Sequence, residues 1–419
     1  MRRVPSSTNR GAKKPAAPGR FAVLDGWRGV CAVLVALYHV EVIGEIYAGH
    51  LRALPVIDNA YLFVDFFFVL SGFVIAHTYQ TRITSAGEFL SFEIRRFGRV
   101  WPLHMAILLV FIVLELAKLY ARARGMGMES RPFSNSFSVP AIFTNIFLVQ
   151  TFGLDSGLTW NQPSWSIGAE FYTYLAFALL VLAGRRRFVL AALATALASA
   201  CIVAVFSPDY MRATFDYGFF RCLYGFFVGV LVRQLGRFDR GVDKRRSIGS
   251  TALELALVLL MLLFVSVANA RPISLLSPLL FAMAVYVFAR ERGAVSHLLR
   301  TRPFRFAGAR SYSIYMTHAL VLVTMARIIR TVQAHGGAVE RIGANVDGSR
   351  EQLLWFGSSW SSDGLVLVFL LLLFVTASIT YRFIENPGRA LFNTAALRLT
   401  GGLGRSVSPA EPVMGVPRP

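Results

Sequence analysis

The chain has 419 residues, of which 55% are hydrophobic and 16% charged, with a mean hydropathy of +0.55 and a formal net charge of +20. A soluble domain carries nearer ~25% charged residues, so the composition points to a polytopic membrane protein. The basic balance does not mark a nucleic-acid binder, because lysines and arginines are dispersed over alternate loops rather than gathered on one face.

Residues 1–20 are rich in Pro, Ser and Lys/Arg and are expected to form a disordered basic tail. Ten apolar runs able to cross a bilayer follow, at approximately 22–46, 60–80, 101–120, 166–183, 188–206, 216–234, 251–268, 273–289, 312–330 and 364–385. A shorter run, 137–152, carries Pro140 and Asn145 and is expected to be re-entrant or interfacial. A cleaved signal peptide fits poorly, since the first run exceeds an h-region in length and contains Arg28 and His39. With the N-terminus in the cytoplasm, about thirty cations fall inside and about ten outside, which favours an even number of spans and two cytoplasmic termini. The predicted fold is therefore all-α: a bundle of about ten transmembrane helices over residues 21–390, followed by a flexible tail, 391–419. Cys31, Cys201 and Cys222 all fall in apolar runs, without metal-ligand spacing, and read as packing residues.

Taken in chain order, the candidate functional residues begin with Arg28 and His39. Eleven helical residues separate them, about 16 Å at a rise of roughly 1.5 Å per residue, about half of a hydrocarbon core of ~30 Å. Ionisable groups at such depth are functional candidates. In the second span Asp65 is placed to reach His39, where a carboxylate on one ring nitrogen would leave the other as a base; Ser71 and Gly72 serve close helix approach or ligand contact. Arg96 and Arg99, at i and i+3 before Pro102, are either positive-inside charge or a fork for phosphate oxygens. Trp165 and Glu170 fall at the expected outer start of the fourth span, Trp165 as an aromatic anchor and Glu170 as a partner for an acceptor hydroxyl or a helix cap. Arg221 is a cation inside the sixth span, with Asp216 or Asp209 as its expected partner, and Gly225 and Gly229 form a small-xxx-small packing pair. Tyr312, Tyr315 and His318 share one stripe of the ninth span, and Glu385 is expected to pair with an arginine at the inner face.

Five blocks in sequence order resemble the acyltransferase-3 family of integral membrane acyltransferases, the O-antigen and exopolysaccharide O-acetylase type. They are Arg28 with His39; Phe67–Phe73; Arg96, Arg99 and Pro102; Trp165, Ser166 and Glu170; and Ser311, Tyr312, Ile314, Tyr315 and His318. The resemblance implies a ten-helix core in a bacterial inner membrane. It also implies transfer of an acyl group, usually acetyl, from cytoplasmic acyl-CoA to a hydroxyl of a carbohydrate or lipid-linked sugar. It makes the histidine matching His39 essential, with the arginines close behind. Some members carry a fused extracytoplasmic transferase domain that this sequence does not show, so transfer is expected to finish within the membrane domain or on a separate partner.

On this reading His39 is a general base, assisted by Asp65 and Glu170. Arg28, Arg96 and Arg99 hold acyl-CoA, and Ser71, Tyr312, Tyr315 and His318 line its channel; Trp165 and Arg221 meet the acceptor, and no metal is used. Direct transfer and an acyl-histidine intermediate both stay open, as do a macrolide-type acceptor and a rival class, a proton-coupled carrier of a sugar-linked lipid. A carrier would have no use for acyl-CoA.

Overall fold

The computed structural model describes residues 21–125, 131–184, 186–236, 238, 248–337, 339–346 and 349–401. The expected N-terminal tail, residues 402–419 and most of the basic loop after the sixth apolar run lie outside these residues. Helix α1, Ala22–Val42, is an apolar run without an internal proline. The short helix α2, Pro55–Asp58, and helix α3, Phe63–Tyr79, follow. Helix α4, Ala86–Ala123, starts at a capping box: Ser85 Oγ accepts from Glu88 N at 3.3 Å, and Glu88 Oε2 accepts from Thr84 N at 2.7 Å.

This long helix corrects one expectation. The apolar run opens near Pro102, but the helix that carries it does not; α4 runs straight through Pro102 and is 38 residues long in all. At roughly 1.5 Å per residue it reaches about 57 Å, nearly twice a hydrocarbon core of ~30 Å. Its first four turns therefore stand clear of the apolar layer and carry Arg95, Arg96 and Arg99.

The short helix α5, Pro140–Ile146, is too brief to cross a membrane and packs on α4, with Phe143 exposed. Helices α6, Trp165–Ala183, α7, Phe188–Phe206, α8, Gly218–Gln234, α9, Ile248–Ala268, and α10, Ser277–Phe288, come next. Two short helices, α11, Ala294–Leu299, and α12, Arg302–Ala309, lead into α13, Ser311–Ala334. Every apolar run read from sequence lies on a helix. Among the described residues eight helical segments are long and apolar enough to span, while α8 and α10 are shorter.

Between α13 and α14, Ser359–Thr380, lies a hairpin absent from the all-α reading: β1, Glu340–Val346, pairs antiparallel with β2, Ser349–Trp355. It docks on the segment after α1 through Tyr47 N to Leu354 O, 3.0 Å, and Leu354 N to Glu45 O, 2.7 Å. A π-turn at Tyr381–Glu385 joins α14 to α15, Asn386–Gly401. Residues 391–401 are thus helix rather than flexible tail, and α15 lies along the protruding part of α4, where Phe392 meets Phe97.

The core is aromatic, with Phe63, Phe66, Phe73, Phe226, Phe227 and Phe281 fully buried. Glycine sets the α3–α8 spacing: a Cβ on Gly229 would sit 1.9 Å from Val69 O, and one on Gly72 1.8 Å from Phe226 O. Helices α7, α9 and α14 turn exposed leucines outwards, among them Leu190, Leu197, Leu255, Leu259, Leu263, Leu367 and Leu371. Lipid, not water, suits that surface. The protein is a multi-pass membrane helix bundle.

Candidate active site

A large cavity opens among α1, α3, α4, α6, α13 and α15, walled by Arg28, Ser71, Arg96, Arg99, Glu170, Tyr312, Tyr315 and Arg389. With Arg82 and Arg95 it carries six arginines against two carboxylates, Asp25 and Glu170. Such a funnel attracts a polyanion. Its arginines are held in place: Arg96 Nη2 donates to Tyr79 OH at 2.9 Å, and its guanidinium lies 5.1 Å from the centre of the Tyr79 ring. Arg389 sits 3.6 Å from Glu385, whose other oxygen accepts from Ser313 Oγ at 2.7 Å. The expected pairing of Glu385 with an arginine is met, and the arginine is one the sequence reading did not select. It belongs to α15, which only the π-turn brings back over the cavity.

Glu170 does not face the opposite end of the bundle. Helix α6 begins deep inside, because the segment before it folds inwards; a Cβ on Gly168 would meet Leu148 O at 2.4 Å. Ser166 consequently reaches Tyr315 OH, 2.8 Å, near the other helix end. Glu170 Oε1 accepts from Ser71 Oγ at 2.6 Å and Tyr174 OH at 2.5 Å, all three within the arginine-rich cavity. Tyr312 and Tyr315 line it too, with Tyr312 OH anchored on Val100 O at 2.5 Å.

His318 does not line this cavity. It lies behind Tyr315, their rings 5.7 Å apart, and faces His39 with Nε2 3.1 Å from His39 Nδ1. A chain of rings thus leads from the cavity wall inwards: Phe67, Tyr315, His318, His39. His39 Nδ1 also lies 2.8 Å from Val35 O. A carbonyl can only accept, so Nδ1 carries the proton and the Nε2 lone pair stays free. His318 Nε2 lies within reach of that same ring nitrogen, at 3.1 Å.

Asp65 is not the partner of His39, and Arg221 does not pair with Asp216 or Asp209. Arg221 Nε donates to Asp65 Oδ1 at 2.8 Å and Nη2 to Oδ2 at 3.1 Å. The remaining donors reach Ala213 O and Tyr61 O, and Ser277 Oγ completes the carboxylate at 3.1 Å. Trp165 covers this guanidinium at 5.4 Å. Both charges are at most 1% exposed, and Asp65, Trp165 and Arg221 border neither the arginine-rich cavity nor the smaller one beyond His39. Fork geometry explains the choice: only the bidentate carboxylate on the neighbouring helix satisfies a fully desolvated guanidinium. This cluster ties α3, α8 and α10 together. Cys31 and Cys222 are buried and Cys201 faces outwards; none of them is bridged.

A family model described as an acyltransferase domain, that of acyltransferase family 3, matches residues 21–384. The chain belongs to the acyltransferase-3 family. Among curated relatives, this acyltransferase-3 chain is 30% identical over 169 residues to protein 2 in the picA locus of Rhizobium radiobacter, covering 38% of this chain and 82% of that one. It is 21% identical to the peptidoglycan O-acetyltransferase of Listeria monocytogenes, over 87% of this chain and 55% of the relative. A Bacillus subtilis protein provisionally named a peptidoglycan O-acetyltransferase is 24% identical over 72% of this chain and 48% of its own. The chain spans about half the length of these two O-acetyltransferases. No solved structure matches it.

Proposed function

We propose that this acyltransferase-3 protein moves an acetyl group from acetyl-CoA to a hydroxyl of a carbohydrate or lipid-linked sugar. The observation that carries the reading is the six-arginine cavity whose wall leads, ring by ring, to a histidine with a free Nε2. Coenzyme A is a polyanion with a long thin arm. Arg96, Arg99, Arg389 and Arg28 hold its phosphates at the mouth, which lies on the cytoplasmic side of the bacterial inner membrane. The pantetheine arm passes Tyr312 and Ser71 and reaches the Phe67–Tyr315 pair. A movement of those two rings admits the thioester to His39.

There the acceptor oxygen attacks the thioester carbon as His39 Nε2 takes its proton. The tetrahedral intermediate collapses, the C–S bond breaks, and the leaving thiolate recovers the proton from His39. General-base help of this kind contributes about 10²–10⁴-fold, on the order of 3–5 kcal/mol. His318 holds the charge on the imidazolium, and Glu170, with Ser71 and Tyr174, orders the polar wall along which the arm lies.

The test is acetyl-CoA binding to the purified protein in detergent. Binding should be lost or strongly weakened in Arg96→Ala and Arg99→Ala. A wild-type protein with no affinity for acetyl-CoA would favour the carrier reading, and undiminished binding in both variants would reduce these arginines to membrane-facing charge.

A further inference from the structure

A second cavity lies beyond His39, at the other end of α1 from Arg28. Thirteen residues separate Arg28 from Glu41, about 20 Å of helix at roughly 1.5 Å per residue. The floor of this cavity is Tyr38, whose ring packs edge-on against His39 with centroids 4.8 Å apart. The two cavities thus approach the same imidazole from opposite ends of the bundle.

Their electrostatics differ. The first is strongly cationic, whereas in the second Glu41 and Asp58 offset Arg52 and Arg212. Glu41 is already engaged, by Arg52 and by Ala48 N at 2.9 Å. Arg212 hydrogen-bonds the Tyr38 hydroxyl. Asp58, exposed at the end of α2, lines the cavity wall. Val42 and Ile57 add apolar surface beside these polar groups. A balanced set of carboxylates and guanidiniums with an apolar flank suits a pyranose, whose hydroxyls both donate and accept and whose ring has an apolar face. It offers no net charge to a phosphate or an acidic sugar.

We propose that the cavity bounded by Tyr38, Glu41, Asp58 and Arg212 is the acceptor site, and that it takes an uncharged hexose unit of the acceptor. This deepens the acetyl-transfer reading and rests on it. Tyr38 then sets how closely the sugar hydroxyl approaches His39, while Asp58 accepts from a neighbouring hydroxyl.

The experiment uses the full chain in detergent, radiolabelled acetyl-CoA, and the envelope carbohydrate of the source cells, separated by anion exchange into uncharged and acidic fractions. Wild type should label the uncharged fraction. Asp58→Ala should lower kcat/KM for that fraction by about tenfold, the loss expected of one charge-assisted hydrogen bond, with acetyl-CoA affinity unchanged. Val42→Phe, which fills the space without removing a polar group, should do the same; monodisperse elution of each variant establishes folding. Wild-type transfer by both folded variants, or label confined to the acidic fraction, would overturn the assignment. Failure of wild type to bind acetyl-CoA would instead sink the underlying transfer reading, which keeps the two failures distinct.

Discussion

Replacing Asp65 with Asn separates two accounts of the same carboxylate. The sequence places it beside His39 as a catalytic partner; the structure places it 2.8 Å from Arg221, with both side chains essentially free of solvent. In the structural account Asp65→Asn leaves a guanidinium buried without its counter-charge. Breaking a buried pair from one side costs about 3–5 kcal/mol. A domain of 150–250 residues loses roughly 2–4 °C of Tm per kcal/mol, and a longer chain loses less, so a fall of the order of 5 °C is expected in detergent-solubilised protein. Asp65→Leu combined with Arg221→Met should recover much of that loss, because removing both charges also removes their desolvation cost. The assay is thermal unfolding followed by size-exclusion chromatography, alongside acetyl transfer by the protein that stays folded. An Asp65→Asn protein with wild-type Tm and abolished transfer would refute the structural role and restore the catalytic one.

Arg389→Ala should raise KM for acetyl-CoA about tenfold with little change in kcat, as expected for one lost charge-assisted contact in binding; steady-state kinetics decide it, and an unchanged KM would remove α15 from the site. Gly229→Ala should reduce the yield of monodisperse protein, since its Cβ would meet Val69 O at 1.9 Å and overpacking of this kind costs about 1–3 kcal/mol; normal yield and Tm would show that α3 and α8 can separate freely. Partial desolvation first, and then the nearby Glu41 carboxylate, hold the Asp58 carboxyl above its ordinary value. The folded state therefore binds that proton more tightly, and wild type loses stability as pH rises through this range. Melting curves from pH 4 to 7 should show Asp58→Asn gaining on wild type as pH increases, and a gap independent of pH would contradict the shift.

The helices were legible in the sequence because a bilayer demands long apolar runs, and ten of those runs lie on helices. Helix ends were less so. Pro102 reads as a helix start, yet the capping box at Ser85 and Glu88 is the true signal, and it was there to be read. Asp347-Gly348 after the alternating Ile342, Ala344 and Val346 is likewise a hairpin signal in the sequence that the all-α expectation passed over. At the site, Arg28, Arg96, Arg99, Ser71, Tyr312 and Tyr315 line one cavity. Depth was the weak inference. Counting residues from an assumed membrane boundary put Glu170 on the acceptor side, whereas α6 starts inside the bundle and delivers it to the arginines. Pairing between distant helices was also beyond the sequence: Asp65 and His39 could share a depth, but only packing decides that Arg221 takes the carboxylate and His318 takes the imidazole. Arg389 carried no local signal, since its position depends on a π-turn.

The central claim is that the free Nε2 of His39 activates the acceptor hydroxyl for attack on a donor bound among the arginines. Acetyl transfer by purified His39→Ala, measured together with its affinity for acetyl-CoA, tests this most directly. The account predicts a fall in kcat of about 10²–10⁴-fold with donor affinity preserved; transfer at the wild-type rate by folded His39→Ala protein would contradict it.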